Sequence, residues 1–166
     1  MLELFRQEVD THIATLKQCL SILKTQPTAI NELEQAIQAA HLLWGNTRIV
    51  ELDVASNLVQ LMKDGLIAAQ KQSIRLDEEK IEIFFHATDL LLGMSQAIDG
   101  NLKAWVKAHA LDWNTTLKAI AKIGNKEEGI DDLLLVTDNS LEITDNSPQV
   151  ADNSPQVADN SPQITD

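Results

Sequence analysis

Apolar residues at Leu2, Phe5, Val9, Ile13, Leu16, Leu20 and Leu23 recur every third or fourth position. Such a stretch buries a single face only by winding into a helix, here of roughly six turns. It closes near Thr25-Gln26-Pro27, because proline cannot continue the backbone ladder. The same period then returns. Ile30, Leu33, Ile37, Ala40 and Leu43 mark the buried stripe of a second helix from about Ala29 to Val50, and Val54, Leu58, Leu61, Met62 and Leu66 that of a third, Asp53 to Lys71. For the fourth, Asp77 is placed to cap, Glu78 and Glu79 favour the positive helix end, and Leu76 can staple against Ile81. Its stripe runs through Phe84, Phe85, Leu91, Met94 and Ile98 until Gly100. A last helical portion, Leu102 to Ile123 with a break near Asp112, closes at Gly124. No alternating strand pattern competes, so the expected class is all-α. Four long helices with short connectors predict an antiparallel four-helix bundle carrying an additional C-terminal helical segment.

This reading divides the chain into a bundle at 1–124, a short acidic and apolar connector at 125–136 and a tail at 137–166. The tail is four tandem heptads, TDNSLEI, TDNSPQV, ADNSPQV and ADNSPQI, closed by Thr165 and Asp166. Each heptad offers one strong apolar residue and three contain proline, so a disordered acidic tether is expected instead of a coiled coil. The connector run Gly129 to Val136 is too apolar for a pure linker. It either adds a short helix to the bundle, the favoured expectation, or docks a partner.

Of the formal net charge of −12, residues 1–124 contribute −3 and residues 125–166 contribute −9. An anionic chain without a basic stripe is a poor match for nucleic acid or for anionic membrane surfaces. Cys19 is the only cysteine, which leaves no internal disulfide, and its apolar helical setting predicts a buried structural thiol. The opening residues lack the pattern of a signal peptide, and no run of 18 apolar residues occurs, so a cytoplasmic location is expected. The sequon Asn114-Thr115-Thr116 is read as coincidence on the same ground. No His/Cys/carboxylate set has metal-ligand spacing, and neither a phosphate-binding glycine loop nor a nucleophile elbow is present.

One local feature stands out from this helical background. In Gln38-Ala39-Ala40-His41-Leu42-Leu43-Trp44-Gly45-Asn46 a glycine follows a histidine by four residues, placing both on one helix face. A helix-interior glycine costs roughly 1 kcal/mol against alanine. The spacing therefore suits an accessible imidazole that must admit a bulky group and the partner delivering it. Trp44 either folds back over the bundle or forms an apolar docking platform with Leu42, beside Gln38. His12, His86 and His109 lack this context and are expected to be surface or core-edge residues, while Trp105 and Trp113 are expected in the core or its cap.

From Met1 to about Ile123 the chain resembles a histidine phosphotransfer (HPt) domain, especially the amino-terminal domain of CheA-type chemotaxis and pilus-motility kinases. The family signature, approximately Ala-Ala-His-Ser-(Leu/Ile)-Lys-Gly-(Ala/Gly)-(Ala/Ser), stands here as Ala39-Ala40-His41-Leu42-Leu43-Trp44-Gly45-Asn46-Thr47. Leu2 to Glu8 and Leu58 to Lys63 also look like family positions. The resemblance implies that His41 accepts a phosphoryl group at Nε2 and exchanges it with an aspartate of a response-regulator receiver domain. A CheA-type kinase catalytic unit would be the other partner. The domain would be a carrier and not an independent enzyme. It would need no cofactor, Mg²⁺ being expected only in the receiver or kinase.

Departures from the family at three positions bear on the chemistry. Trp44 replaces the usual lysine, Lys63 stands where CheA-type domains place a glutamate that orients the ring through Nδ1, and Gln60 stands at their usual second histidine. In one reading the site is transposed: Lys63 supplies the cation, Arg48 supplements it, and Gln60 accepts from Nδ1. In the other the chemistry is lost, leaving a phosphorylation-independent adaptor for a receiver or kinase.

Overall fold

The computed structural model describes residues 2–98 and 100–135; the heptad repeats lie outside the described residues. Among the described residues six helices follow one another: α1 (Leu2–Thr25), α2 (Ile30–Ile49), α3 (Asp53–Gln70), α4 (Glu78–Gln96), α5 (Leu102–Ala108) and α6 (Ala110–Ile123). A 3-10 turn, Ile130–Leu133, comes after them. No strand occurs among the described residues.

The stripes read from the sequence supply the core. Phe5, Val9, Ile13, Leu16, Leu20 and Leu23 of α1 are all buried, as are Val54, Leu58, Leu61, Met62 and Leu66 of α3. Ile37 and Phe85 join the core only in part, and the exposed exception is Ile30. It is 70% exposed at the first position of α2, where Ala29 and Leu33 take the core side instead. The fourth helix begins as expected, with the Asp77 carboxylate accepting from the Lys80 backbone N–H at 2.9 Å. That bond, followed by the one from the Lys80 ammonium, lowers the Asp77 pKa. A group depressed in this way contributes its stability above its unfolded-state pKa and loses it as the pH falls, so acid weakens the cap at the start of α4.

Antiparallel packing is visible in the cross-links. Ser95 donates to Asp10 at 2.7 Å, Lys17 pairs with Asp89 at 2.7 Å and Lys24 with Glu82 at 3.2 Å, which runs α4 backwards along α1. α1 also packs on α2, and α2 on α3. The additional C-terminal segment fills the side of the bundle where α3 and α4 barely meet, with α6 packed on both. Trp113, Leu117 and Ile120 of α6 are fully buried there. The break in this segment falls at His109, slightly before the expected Asp112. After Gly124 the left-handed position is taken by Asn125 (φ 57°). The 3-10 turn then returns to α6, where the Asn114 side chain donates to the Leu135 carbonyl at 2.8 Å and accepts from its N–H at 2.7 Å.

Helix-interior glycines at 65 and 93 are spent on packing. A Cβ at Gly93 would fall 2.7 Å from Cζ2 of Trp105, and one at Gly65 would fall 3.1 Å from Cζ of Phe84. Gly93→Ala must push the indole away from α4 and disturb its stack on His109, at 4.2 Å between centroids, and its edge contact with Trp113. Overpacking of this kind costs about 1–3 kcal/mol, more than the helix-propensity gain of a glycine replacement. A lowered melting temperature for Gly93→Ala is the expected outcome; an unchanged or raised one would show that the ring yields freely.

Candidate functional site

The hairpin of α2 and α3 turns within three residues, with Glu51 in the left-handed region (φ 54°) and Leu52 N–H bonded to the Thr47 carbonyl at 3.3 Å. Just inside the turn, the buried Ser56 hydroxyl donates to Thr47 Oγ1 at 2.9 Å. These bonds set the register. His41 lies six residues before Thr47 and Lys63 seven after Ser56, so at 1.5 Å per residue both sit about 10 Å from the latch and come level with each other. The Lys63 ammonium is 3.4 Å from Nδ1 of His41.

Trp44 joins them on the same surface. Its ring stacks with His41 at 6.1 Å and 25° between planes, and the cations of Arg48 and Lys63 lie 5.0 and 5.8 Å from its centroid. Trp44 is half-buried against the core. The two cations near its ring are favoured by the negative potential of the indole face.

Gly45 contrasts with the other two helix-interior glycines. A Cβ built there meets nothing within 4 Å. The fold makes no use of this glycine, although it bears its cost. Helical side chains lean toward the N-terminus, so any residue at 45 would project over the turn that holds His41. Gln38, His41 and Leu42 are exposed around the opening. Ile49, one turn further along, is 72% exposed and extends the same outer surface; it went unnoticed in the sequence because its apolar character suggested nothing beyond the helix pattern.

One expected contact is absent. Gln60 was to accept from Nδ1 of His41, but its amide donates to Oδ1 of Asp64 at 3.1 Å. The two lie four residues apart on α3, where a carboxylate captures an amide N–H at small entropic cost. Lys63 takes the place beside Nδ1 instead.

The remaining histidines are differently engaged. Nε2 of His86 lies 2.9 Å from Oδ1 of Asp112, and Nδ1 of His109 lies 2.8 Å from the Trp105 carbonyl. His12 is half-buried on α1. Burial, followed by the charge of Glu32, pushes the Cys19 thiol pKa up, which disfavours the nucleophilic thiolate. Among the described residues no group of three or more His, Cys, Asp or Glu is placed to hold a metal ion, and no helix is long and apolar enough to cross a membrane.

The sequence model of the Hpt domain matches residues 1–110. The chain belongs to this family. Hpt domains are histidine phosphotransfer modules that carry a phosphoryl group in two-component phosphorelays. A search of the curated proteins finds no match to the chain. The Hpt match covers α1 to α5 and stops at the first residue of α6, yet α6 completes the core through the fully buried Trp113 and Leu117. Truncation after residue 110 is therefore expected to abolish cooperative unfolding, since it exposes the facing sides of α3 and α4. A truncated chain with an intact thermal transition would show that the matched region folds alone.

Proposed function

We propose that this Hpt domain accepts a phosphoryl group on His41 and exchanges it with the aspartate of a response-regulator receiver, a separate kinase unit of the CheA type supplying the group. The observation that carries this reading is the opening at Gly45: a helix-interior glycine that no neighbour fills, one turn from an exposed histidine. A partner's active site can close over that spot without displacing any part of the bundle. Gln38, Leu42 and Ile49 form the docking rim. Lys63 brings a positive charge to the imidazole and Arg48 a second one to the adjoining Trp44 ring, which suits a doubly charged phosphoryl group.

In this role the chain is a substrate and carrier and not an enzyme. Its part is to present an oriented nucleophile, while the metal that neutralises the reacting phosphoryl belongs to the receiver or the kinase. The setting is cytoplasmic, and nucleic acid and membrane surfaces are not partners. The adaptor reading needs no cation at the histidine, so the lysine beside His41 favours the carrier.

The test is intact-mass measurement of the full chain after incubation with a chemically phosphorylated receiver. The expected result is an acid-labile phosphoryl increment on the Hpt chain and its loss from the receiver. Stable binding of the receiver without any increment would remove the carrier function and leave an adaptor.

A further inference from the structure

An ammonium group has hydrogens to donate and no lone pair to accept with. Lys63 beside Nδ1 of His41 therefore requires that nitrogen to be the acceptor, and the ring proton of the neutral imidazole then sits on Nε2. A protonated Nε2 has its electron pair in the ring π system and is no nucleophile. The usual Hpt arrangement implied by the sequence resemblance is the reverse, with a carboxylate or amide oxygen accepting from Nδ1–H and leaving the Nε2 pair free. Here the neighbouring amide that could have accepted, Gln60, is turned to Asp64. Among the described residues the one hydrogen-bond contact at Nδ1 is the lysine.

We propose that Lys63 is a tautomer latch on His41: it holds the ring in the Nε2–H form at rest and must leave Nδ1 before Nε2 can take a phosphoryl group. This deepens the phosphocarrier reading and rests on it. At 3.4 Å the contact is at the long end of the hydrogen-bond range, so little is lost when it opens. Lys63 also has somewhere to go. Its ammonium already lies over the Trp44 face, and a phosphoryl group arriving at His41 offers three anionic oxygens in its place.

The step balances as follows. Once Lys63 withdraws, Nε2 gives its proton to water and Nδ1 takes one from water, with no net change in charge. The freed Nε2 pair attacks the phosphorus of the receiver's aspartyl phosphate. The Nε2–P bond forms while the bond from phosphorus to the carboxyl oxygen breaks, and the carboxylate departs with the electron pair. The ring keeps its Nδ1 proton and is left as a phosphoimidazolium, with Lys63 beside the phosphoryl oxygens. Docking of the partner and release of the latch are thereby coupled, since it is the delivered charge that draws the lysine away. Lys63 acts as a positioning residue through the ring it holds.

The decisive experiment reads the tautomer directly. Long-range ¹⁵N–¹H correlations of the His41 ring are recorded on the full, ¹⁵N-labelled chain at about pH 8, above the ordinary imidazole range. Wild type is compared with Lys63→Met, which keeps the stem and removes the donor, and with Lys63→Gln, which offers an acceptor. A hydrogen bond at the weak end of the net range corresponds to about a 2-fold higher ratio of Nε2–H to Nδ1–H in wild type than in Lys63→Met. Lys63→Gln is expected to invert that ratio toward Nδ1–H. Equal ratios in wild type and Lys63→Met overturn the latch, even if His41 is phosphorylated normally. If His41 takes no phosphoryl group in any variant, the carrier reading fails, and the assignment of Lys63 as a latch on phosphorylation falls with it whatever the ratios. Phosphorylation together with the shifted ratios supports both. The helical content of each variant, measured alongside, confirms that a changed ratio comes from the side chain and not from unfolding.

Discussion

His41→Gln is expected to abolish phosphoryl labelling by a phosphorylated receiver while leaving the melting temperature of the chain essentially unchanged. The side chain is exposed on α2, and a surface substitution of this kind typically alters stability by no more than about 0.5 kcal/mol. Glutamine keeps a hydrogen-bonding group near Lys63 but has no nucleophilic nitrogen, so the loss is complete and not graded. None of the other histidines is placed to substitute. His86 is tied to Asp112 and faces a groove with Glu79 and Glu82 on its wall, an environment that repels a phosphoryl group. His109 has Trp113 and not a glycine one turn along, and its ring is stacked on Trp105. Intact-mass measurement of the mutant under alkaline conditions checks the assignment. An increment equal to that of the parent would place the phosphoryl group on another residue.

Gly45 carries the second large effect, with stability and function moving in opposite directions. Replacement by alanine removes the conformational cost of a helix-interior glycine and meets no neighbour within 4 Å, so Gly45→Ala is expected to stabilise the chain by about 0.5–1 kcal/mol. A long side chain at this position leans back over His41. Gly45→Leu is therefore expected to slow phosphoryl transfer by about 100-fold or more, the order of loss that follows when reacting groups are held an ångström out of line. Thermal denaturation and transfer kinetics on the same preparations test both halves. A destabilised Gly45→Ala would mean that the bundle needs the glycine after all. Unimpaired transfer to Gly45→Leu would mean that the partner approaches His41 from another side.

The helices were legible because the signals that make them are local. The stripes of α1 and α3 fall at successive positions on one face, the Asp77 cap reads over four residues, and the core they predicted is the core observed. Ile30 misled because a stripe says which face is apolar and not where along the helix the neighbouring element stops covering it. The pairing of His41 with Gly45 was legible for the same local reason, being a matter of i and i+4 on one helix. Gly65 and Gly93 carried the same helix-interior signal, but their purpose lay in the rings of Phe84 and Trp105, which other helices deliver.

Contacts across α2 and α3 were legible only in part. Spacing placed Lys63 and Gln60 near the histidine, yet which of them reached Nδ1 depended on a competition within α3 that Asp64 decided by capturing the amide. Trp44 likewise had two readings from sequence, and the cations of Arg48 and Lys63 over its ring supplied a third.

By itself the sequence determined a helical bundle, its buried faces, the family and the histidine with a gap beside it, because each follows from residues a turn or two apart. The tertiary structure alone decided that α6 fills the side between α3 and α4, that the opening at Gly45 stays empty while those at Gly65 and Gly93 are filled, and that a lysine faces Nδ1. Those outcomes depend on the register and orientation of helices distant in the chain, fixed here by a tight turn at Glu51, a buried Ser56–Thr47 bond and the ion pairs along α1, which no local period encodes.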